Sequence, residues 1–364
     1  MATKVFNKFY GKEKLSGKCV LLSQDRFCVK LNGFSEEAIV IFKTIPSRSY
    51  DPKSRIWNFH IKDYALLLSK LQTLQAKLSI DKLPGFVLNC IKKTQNEVTV
   101  DFTKIDPVLA SALMPFQLEG VSFGIDKLGR CLIGDDMGLG KTFQALAIAN
   151  YYMDDWPLLI VTTASMRAIW EETIRNYLPS VSIMQVQYMV SGKDYIGEAK
   201  ILIVSHDMMT RCLDMLLTRG FGILIIDESH VLKNFKSKCF NASLALAKRA
   251  KRVLLLSGTP ALSRPSELFT QLSLIDNKFF GSFYEFSKRY CDGKQTQFGW
   301  DASGNSNLEE LEIILAKKFM IRRTKEDVLK MLPSKQQEVI TLDTKLEEFS
   351  EQDRNCLIAL AKKI

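Results

Sequence analysis

Apolar positions change their spacing about a third of the way along the chain. Before residue 80 they fall in short alternating or amphipathic stretches. CVLLSQDRFCVKL (19–31) reads as two strands around Gln24-Asp25. SEEAIVIFKTIP places Ser35 at an N-cap and acids in the first turn, with a stop at Pro46, which predicts a helix. Asp51-Pro52-Lys53-Ser54 supplies turn chemistry. The alternation that follows, Arg55 to Ile61, puts Trp57, Phe59 and Ile61 on one inner face. A helix from about Asp63 to Leu74 closes this α+β unit. Further on, five short β-branched runs alternate with helical stretches: CLIGD (131–135), LLIVTT (158–163), ILIVS (201–205), GILIIDE (222–228) and VLLLSG (253–258). Such runs, buried on both faces and separated by helices, predict a mainly parallel sheet covered by helices. The fold class is therefore α/β, preceded by a small α+β domain. The predicted divisions are a basic tail (1–16), the α+β domain (17–80), a connector (81–110) broken at Pro84-Gly85 and Asp106-Pro107, the α/β lobe (111–340) and a helical segment (341–364).

Composition narrows the class. Apolar residues make up 46% of the 364 and charged residues 25%, a globular balance that excludes collagen, disorder and a membrane bundle. No apolar run approaches the roughly 20 residues of a spanning helix, so no membrane partner is expected. The eight cysteines are scattered without a Cys-x-x-Cys pair, and only three histidines are present, which argues against zinc modules. The net charge of +10 is uneven: residues 1–105 hold 18 basic against 9 acidic side chains, and residues 106–364 hold 32 against 31. A basic excess confined to the first third points to a polyanion such as nucleic acid. A lysine-rich solvated surface is the plainer alternative.

Chemistry concentrates in the lobe. Asp135-Asp136-Met137-Gly138-Leu139-Gly140-Lys141-Thr142 follows a strand and opens a helix. Glycines there let backbone N–H groups face phosphates, and the helix N-terminus adds partial positive charge. Lys141 would reach the β/γ-phosphates of ATP, and the Thr142 hydroxyl would bind Mg²⁺. Asp135 stands where the strict phosphate-loop pattern has its first glycine. Asp227-Glu228-Ser229-His230 ends the strand GILII, so Asp227 is the candidate second Mg²⁺ ligand and Glu228 the base for the attacking water. Ser257-Gly258-Thr259-Pro260 ends another strand, with Ser257 and Thr259 as candidate coupling residues; by itself this tetrapeptide is only a turn. His206 and His230 follow strand ends without a third ligand spaced for a metal.

These motifs, in this order, resemble the first motor lobe of the Snf-type superfamily 2 DNA translocases. DDMGLGKT is similar to their motif I, with Asp136 where most have Glu; DESH and SGTP are similar to motifs II and III. Phe116-Gln117 is similar to the element whose Gln recognises adenine, so Gln117 joins residues 135–142 as a nucleotide contact. VTTASMRAIWEETI (161–174) resembles motif Ia, with Thr163 in place of the usual Pro, and VSHDMM (204–209) sits at motif Ib. Ile321-Arg322-Arg323-Thr324-Lys325 resembles the arginine-rich exit from the lobe. LSGTPALSRPSELFTQL (256–272) and RYCDGKQTQFGWDASGNSNLEEL (289–311) are similar to the annealing-helicase branch, and RSYDPKSRIWNF resembles its HARP domain.

The resemblance implies a RecA-like lobe of a DNA-dependent ATPase with ATP and Mg²⁺ as cofactors. It further implies a nuclear motor that tracks along double-stranded DNA and rewinds branched DNA such as stalled forks, with recruitment by a single-strand-binding protein through regions outside this chain. The HARP-like unit would contribute recognition of forked DNA, and Arg48, Tyr50, Lys53, Arg55 and Trp57 are the candidate contacts, mixing charge with stackable rings. By their alternation, Trp57 and Phe59 are more often core residues than ligand contacts. Family motors hold nucleotide between two lobes, the second supplying an arginine finger. Only 31 residues follow Pro333, and Arg322 and Arg323 are poor substitutes within the first lobe, so the chain is expected to be a fragment with little turnover alone. Two alternatives differ in class: a DNA-binding module with a regulatory nucleotide-binding lobe, and a piece of a nucleosome remodeller.

Overall fold

The computed structural model describes residues 14–92, 99–260 and 264–328. The chain divides into two units after Val328, so all described residues belong to the first of them. The helix expected over 341–364 and the tail through residue 13 lie outside the described residues.

The N-terminal sheet contains β1 (Leu15–Leu21), β2 (Arg26–Leu31), α1 (Glu36–Lys43), β3 (Ser49–Asp51), β4 (Ile56–His60), α2 (Tyr64–Leu71) and β5 (Leu78–Asp81). The strand order is β3-β4-β2-β1-β5, antiparallel except for β1 with β5. Ser35 caps α1 by accepting a hydrogen bond from the Ala38 N–H at 3.2 Å. Phe27, Phe42 and Phe59, all buried, form the aromatic centre under the helices. Two expectations change here. β1 begins at Leu15, inside the predicted tail, because the Leu15 N–H bonds Lys77 O at 3.0 Å beside β5. β5 itself has four residues and one buried position, too little for a periodicity to show.

Among the described residues of the predicted connector, α3 (Gly85–Lys92) and the start of α4 (Pro107–Ala112) are helical. The connector's breakers are helix starts. Pro107 has no N–H to leave orphaned in the first turn, and the Asp106 carboxylate caps Val108 N at 3.0 Å.

The lobe then runs α5 (Pro115–Asp126), β6 (Arg130–Ile133), α6 (Lys141–Tyr151), β7 (Leu158–Thr162), α7 (Arg167–Tyr177), β8 (Val186–Tyr188), β9 (Ile201–Ser205), α8 (His206–Arg211), α9 (Leu213–Arg219) and β10 (Ile223–Ile226). It continues through α10 (Lys238–Arg249), β11 (Arg252–Leu256), α11 (Ser266–Ile275), α12 (Phe283–Tyr290), a hairpin of β12 (Lys294–Thr296) and β13 (Gly299–Asp301), α13 (Leu308–Ile314), β14 (Met320–Ile321) and α14 (Lys325–Val328). Its seven-stranded sheet is wholly parallel, in the order β14-β6-β11-β10-β7-β9-β8. The five predicted strands are its centre; β8 and β14, three and two residues long, are its edges. Because β10 lies between β7 and β11, the residues ending those three strands meet at one end of the sheet, and the loop after β6 meets them there. Ligands of open parallel sheets bind outside this carboxyl end.

A buried charge cluster joins the N-terminal sheet to the lobe. Glu310 of α13 is fully buried and takes Arg289 at 2.6 and 2.7 Å, Tyr290 Oη at 2.8 Å and the Leu21 N–H at 3.0 Å. Arg289 also donates to Cys19 O at 3.1 Å. Phe86 of α3 packs on Phe279 and Phe280, so one apolar cluster runs from the small sheet into the lobe.

Candidate active site

The loop between β6 and α6 is shaped by glycine. Gly138 and Gly140 have φ of +86° and +71°, and a Cβ on Gly140 would lie 2.2 Å from Gln117 Nε2. Only glycine meets both demands. Gln117 is buried against the loop; its Oε1 accepts from Met114 N at 2.9 Å and its Nε2 donates to Leu139 O at 3.1 Å. Leu139 is buried, whereas Met137 stands 67% exposed at the loop's crest. Lys141 opens α6, and its Nζ donates to the carbonyls of Asp135 and Asp136 at 2.9 and 3.2 Å. Burial pulls its amine below the ordinary lysine value, opposed by the carboxylates of Glu228, Asp135, Asp227 and Asp136. Thr142 is half-buried in the first helical turn.

The side chain of Asp135 is a strut of the loop. It is fully buried and accepts from Arg323 Nη2 (2.6 Å), Arg323 Nε (3.1 Å), Arg323 N (3.0 Å) and Gln144 Nε2 (2.9 Å). Arg323 also bonds Gln144 Oε1 and Phe116 O. β14 and the residues just after it fix the loop's backbone as well, through Gly134 N to Ile321 O at 2.8 Å and Asp136 N to Arg323 O at 3.0 Å. The Asp136 carboxylate accepts from Lys325 N at 3.1 Å.

Opposite the loop stands Asp227. Its Oδ2 accepts from Thr162 Oγ1 at 2.9 Å and Trp170 Nε1 at 3.0 Å, and its Oδ1 from Glu228 N at 3.0 Å. Glu228 has φ +49°, a left-handed conformation uncommon for non-glycine residues and frequent at functional turns. His230 Nδ1 lies 3.1 Å from Glu228 Oε2 and 3.3 Å from Ser257 Oγ, so it bridges the second and third motifs. Ser257 is buried and accepts from Thr259 N at 3.2 Å. A Cβ on Gly258 would lie 2.7 Å from Met137 Cγ and 3.6 Å from Lys141 Nζ, so the third motif touches the first.

Lys141, Asp227, Glu228 and Ser257 thus meet at one end of the sheet, with Gln117 behind the loop. The donor set fits a Mg-nucleotide: a hydroxyl, a carboxylate, a half-buried amine, and a glycine loop opening a helix. Thr162, Trp170, Gln144 and Arg323 are the partners that sequence reasoning missed. Thr162, Trp170 and Arg323 lie inside motif-like segments, without a pattern to single them out; Gln144 has no signal. Among the described residues no group of His, Cys, Asp and Glu is arranged to hold a further metal.

The five candidate contacts of the small sheet come together on the β3–β4 hairpin. Arg48, Tyr50, Lys53 and Arg55 are exposed. Tyr50 pairs with Trp57 across the ladder, ring centroids 4.9 Å apart. Trp57 is half-buried and packs on Phe42, so it serves the core as well as the surface. Asp51 closes the turn, accepting from Lys53 N at 3.0 Å and Ser54 Oγ at 2.5 Å. Arg26 pins the hairpin's far strand through Asn58 Oδ1 at 2.6 Å.

A wholly parallel sheet with a glycine loop facing a strand-end Asp-Glu pair defines the nucleotide-binding lobe of a P-loop motor. The chain belongs to the SNF2-related domain family, whose model matches residues 91–352. A second model, HepA-related protein (HARP), matches residues 27–83. The chain is 48% identical over 345 residues to the Drosophila melanogaster SWI/SNF-related matrix-associated actin-dependent regulator of chromatin subfamily A-like protein 1, covering 94% of this chain and 46% of that one. It is 36% identical over 272 residues to the Mus musculus DNA annealing helicase and endonuclease ZRANB3, covering 72% and 25%. The chain therefore spans about half, or less, of the length of these relatives. Among solved structures, the Sulfolobus solfataricus SWI2/SNF2 ATPase core in complex with dsDNA matches with a TM-score of 0.53 and 26% identity, over 64% of this chain and 48% of that one.

Proposed function

We propose that this chain is the recognition and nucleotide-binding part of a nuclear, DNA-dependent ATPase that rewinds branched DNA. Lys141 and the loop backbone hold the ATP phosphates, Gln117 lies toward the base, Thr142 and Asp227 bind Mg²⁺, and Glu228 orients and deprotonates the attacking water. Mg²⁺ supplies charge neutralisation at the phosphates when bound. His230 carries the state of this site to Ser257 and Thr259. The β3–β4 hairpin presents Arg48, Tyr50, Lys53, Arg55 and Trp57 to the DNA fork. The convergence of Lys141, Asp227, Glu228 and Ser257 on one sheet end carries this reading; the HARP match beside the basic first third supports the DNA side. The name of the ZRANB3 relative, a DNA annealing helicase, supports rewinding, while the chromatin-regulator name of the Drosophila relative keeps a remodeller as the second reading.

The test is ATP hydrolysis by the intact motor, with and without forked DNA, beside Mg²⁺-dependent nucleotide binding by this chain. Lys141→Ala is expected to remove hydrolysis and to weaken nucleotide binding. DNA-stimulated turnover that survives Lys141→Ala would exclude the reading. Stimulation by nucleosomes and none by forks would favour the remodeller instead.

A further inference from the structure

We infer that Trp170 is a positioning residue for the metal-binding carboxylate, holding Asp227 so that one oxygen faces the nucleotide. The inference depends on Asp227 being a Mg²⁺ ligand. Trp170 is fully buried on α7, on the face that also buries Ile174. Its indole N–H, which can donate but not accept, points at Asp227 Oδ2 at 3.0 Å. Thr162, buried at the end of β7, donates to the same oxygen at 2.9 Å. Each carboxylate oxygen offers about two acceptor positions, so Oδ2 is filled by these two side chains. Oδ1 accepts from the neighbouring Glu228 N–H at 3.0 Å and keeps an acceptor position for a cation. A carboxylate tethered through one oxygen presents the other in a fixed direction, and such outer contacts commonly change metal affinity 10–100-fold when removed.

The arrangement also follows from local sequence. Thr162 ends a strand adjacent to β10, and Trp170 lies one turn into the helix that follows β7, so both reach Asp227 from the same side. A buried indole N–H needs an acceptor; here it shares one carboxylate oxygen with Thr162, so the two donors together fix the direction of Asp227.

The experiment measures binding of fluorescent ADP to this chain as a function of Mg²⁺, and again in EDTA. Trp170→Phe keeps an aromatic ring without the N–H, and Thr162→Val is nearly isosteric without the hydroxyl. Each is expected to raise the Mg²⁺ concentration for half-effect about 10–100-fold, leaving affinity in EDTA unchanged. Asp227→Asn should erase the Mg²⁺ dependence. In the wild-type chain, one of the four tryptophan indole N–H resonances should move on Asp227→Asn and again on adding Mg²⁺ with ADP, a readout that does not require Trp170→Phe to fold. Wild-type Mg²⁺ dependence in both variants would overturn the inference. So would an equal loss of affinity in Mg²⁺ and EDTA, which marks simple packing, or four unmoved indole resonances. Mg²⁺ dependence that persists in Asp227→Asn would instead remove the metal role of Asp227, and this inference with it.

Discussion

The carboxyl end of the parallel sheet and the β3–β4 hairpin are built on opposite principles. At the sheet end, three carboxylates are held by other side chains: Asp135 by Arg323 and Gln144, Asp227 by Thr162 and Trp170, Glu228 by His230. Among the described residues, no buried side-chain nitrogen or oxygen lacks a hydrogen-bond partner. On the hairpin the turn is locked through Asp51, while Lys53 and Arg55 are exposed and the side chain of Arg48, also exposed, is held only by a 3.3 Å bond to Ile45 O. Chemistry on a small ligand needs atoms held to a fraction of an ångström. Contact with a DNA backbone needs reachable charge and tolerates loose geometry.

The largest effect should come from breaking the most partnered group. Arg323→Ala leaves the Asp135 carboxylate buried without its guanidinium, and breaking a buried pair costs about 3–5 kcal/mol. Denaturant unfolding should show that loss, together with weakened nucleotide binding from a slack loop. Adding Asp135→Asn should recover part of the stability, because the orphaned charge is then gone. A single variant within about 0.5 kcal/mol of wild type would show that the buried ion pair is not what holds the loop.

The hairpin should behave in the opposite way. Changing Arg48, Lys53 and Arg55 together to alanine should leave unfolding stability within about 0.5 kcal/mol, as for surface sites. Fork binding should weaken most at low salt, with the deficit shrinking as salt rises. The slope of log K against log salt should shrink by about 0.9 for each phosphate that is no longer neutralised, so by about 2–3 in all. Unchanged fork affinity would move the DNA surface away from the hairpin. A large loss of stability would mean the arginines hold the fold after all.

The difference between the two regions also explains how much of the molecule is legible in the chain. Strands buried on both faces show as apolar runs, so β6, β7, β9, β10 and β11 can be read from sequence, and the short edges β8 and β14 cannot. Lys141 announces itself where a glycine loop opens a helix, and Asp227 and Glu228 by standing where a strand ends. Asp135 looks like a nucleotide contact because its place in the loop is local information, while its partner Arg323 lies 188 residues away. Pro84 and Pro107 look like breaks because proline stops a helix and also starts one; for Pro107 the Asp106 cap decides between these, and the second partner of Asp106, Ser180, is remote. Trp57 reads as both core and surface, and its half-burial between Tyr50 and Phe42 makes it both.

Asp106 offers a smaller test of whether partnered carboxylates outside the active site behave like Asp135. Its carboxylate accepts from Val108 N at 3.0 Å and Ser180 N at 3.1 Å, tying the start of α4 to the loop that follows α7. Burial pushes its pKa up, but these hydrogen bonds win and hold it below the ordinary value of 3.8. A carboxyl group held down in the folded state stabilises fully above its unfolded value, and that stabilisation fades as pH falls through the folded value. Asp106→Asn should therefore cost about 0.3–1 kcal/mol at pH 7, the usual worth of a negative charge at a helix N-terminus. The gap from wild type should stay constant down to about pH 4 and narrow below it. A cost equal to that of Arg323→Ala would mean that tight partnering is general to this lobe. A much smaller cost, closing only in acid, would mark the ion pair beneath the phosphate loop as the feature that sets the active site apart.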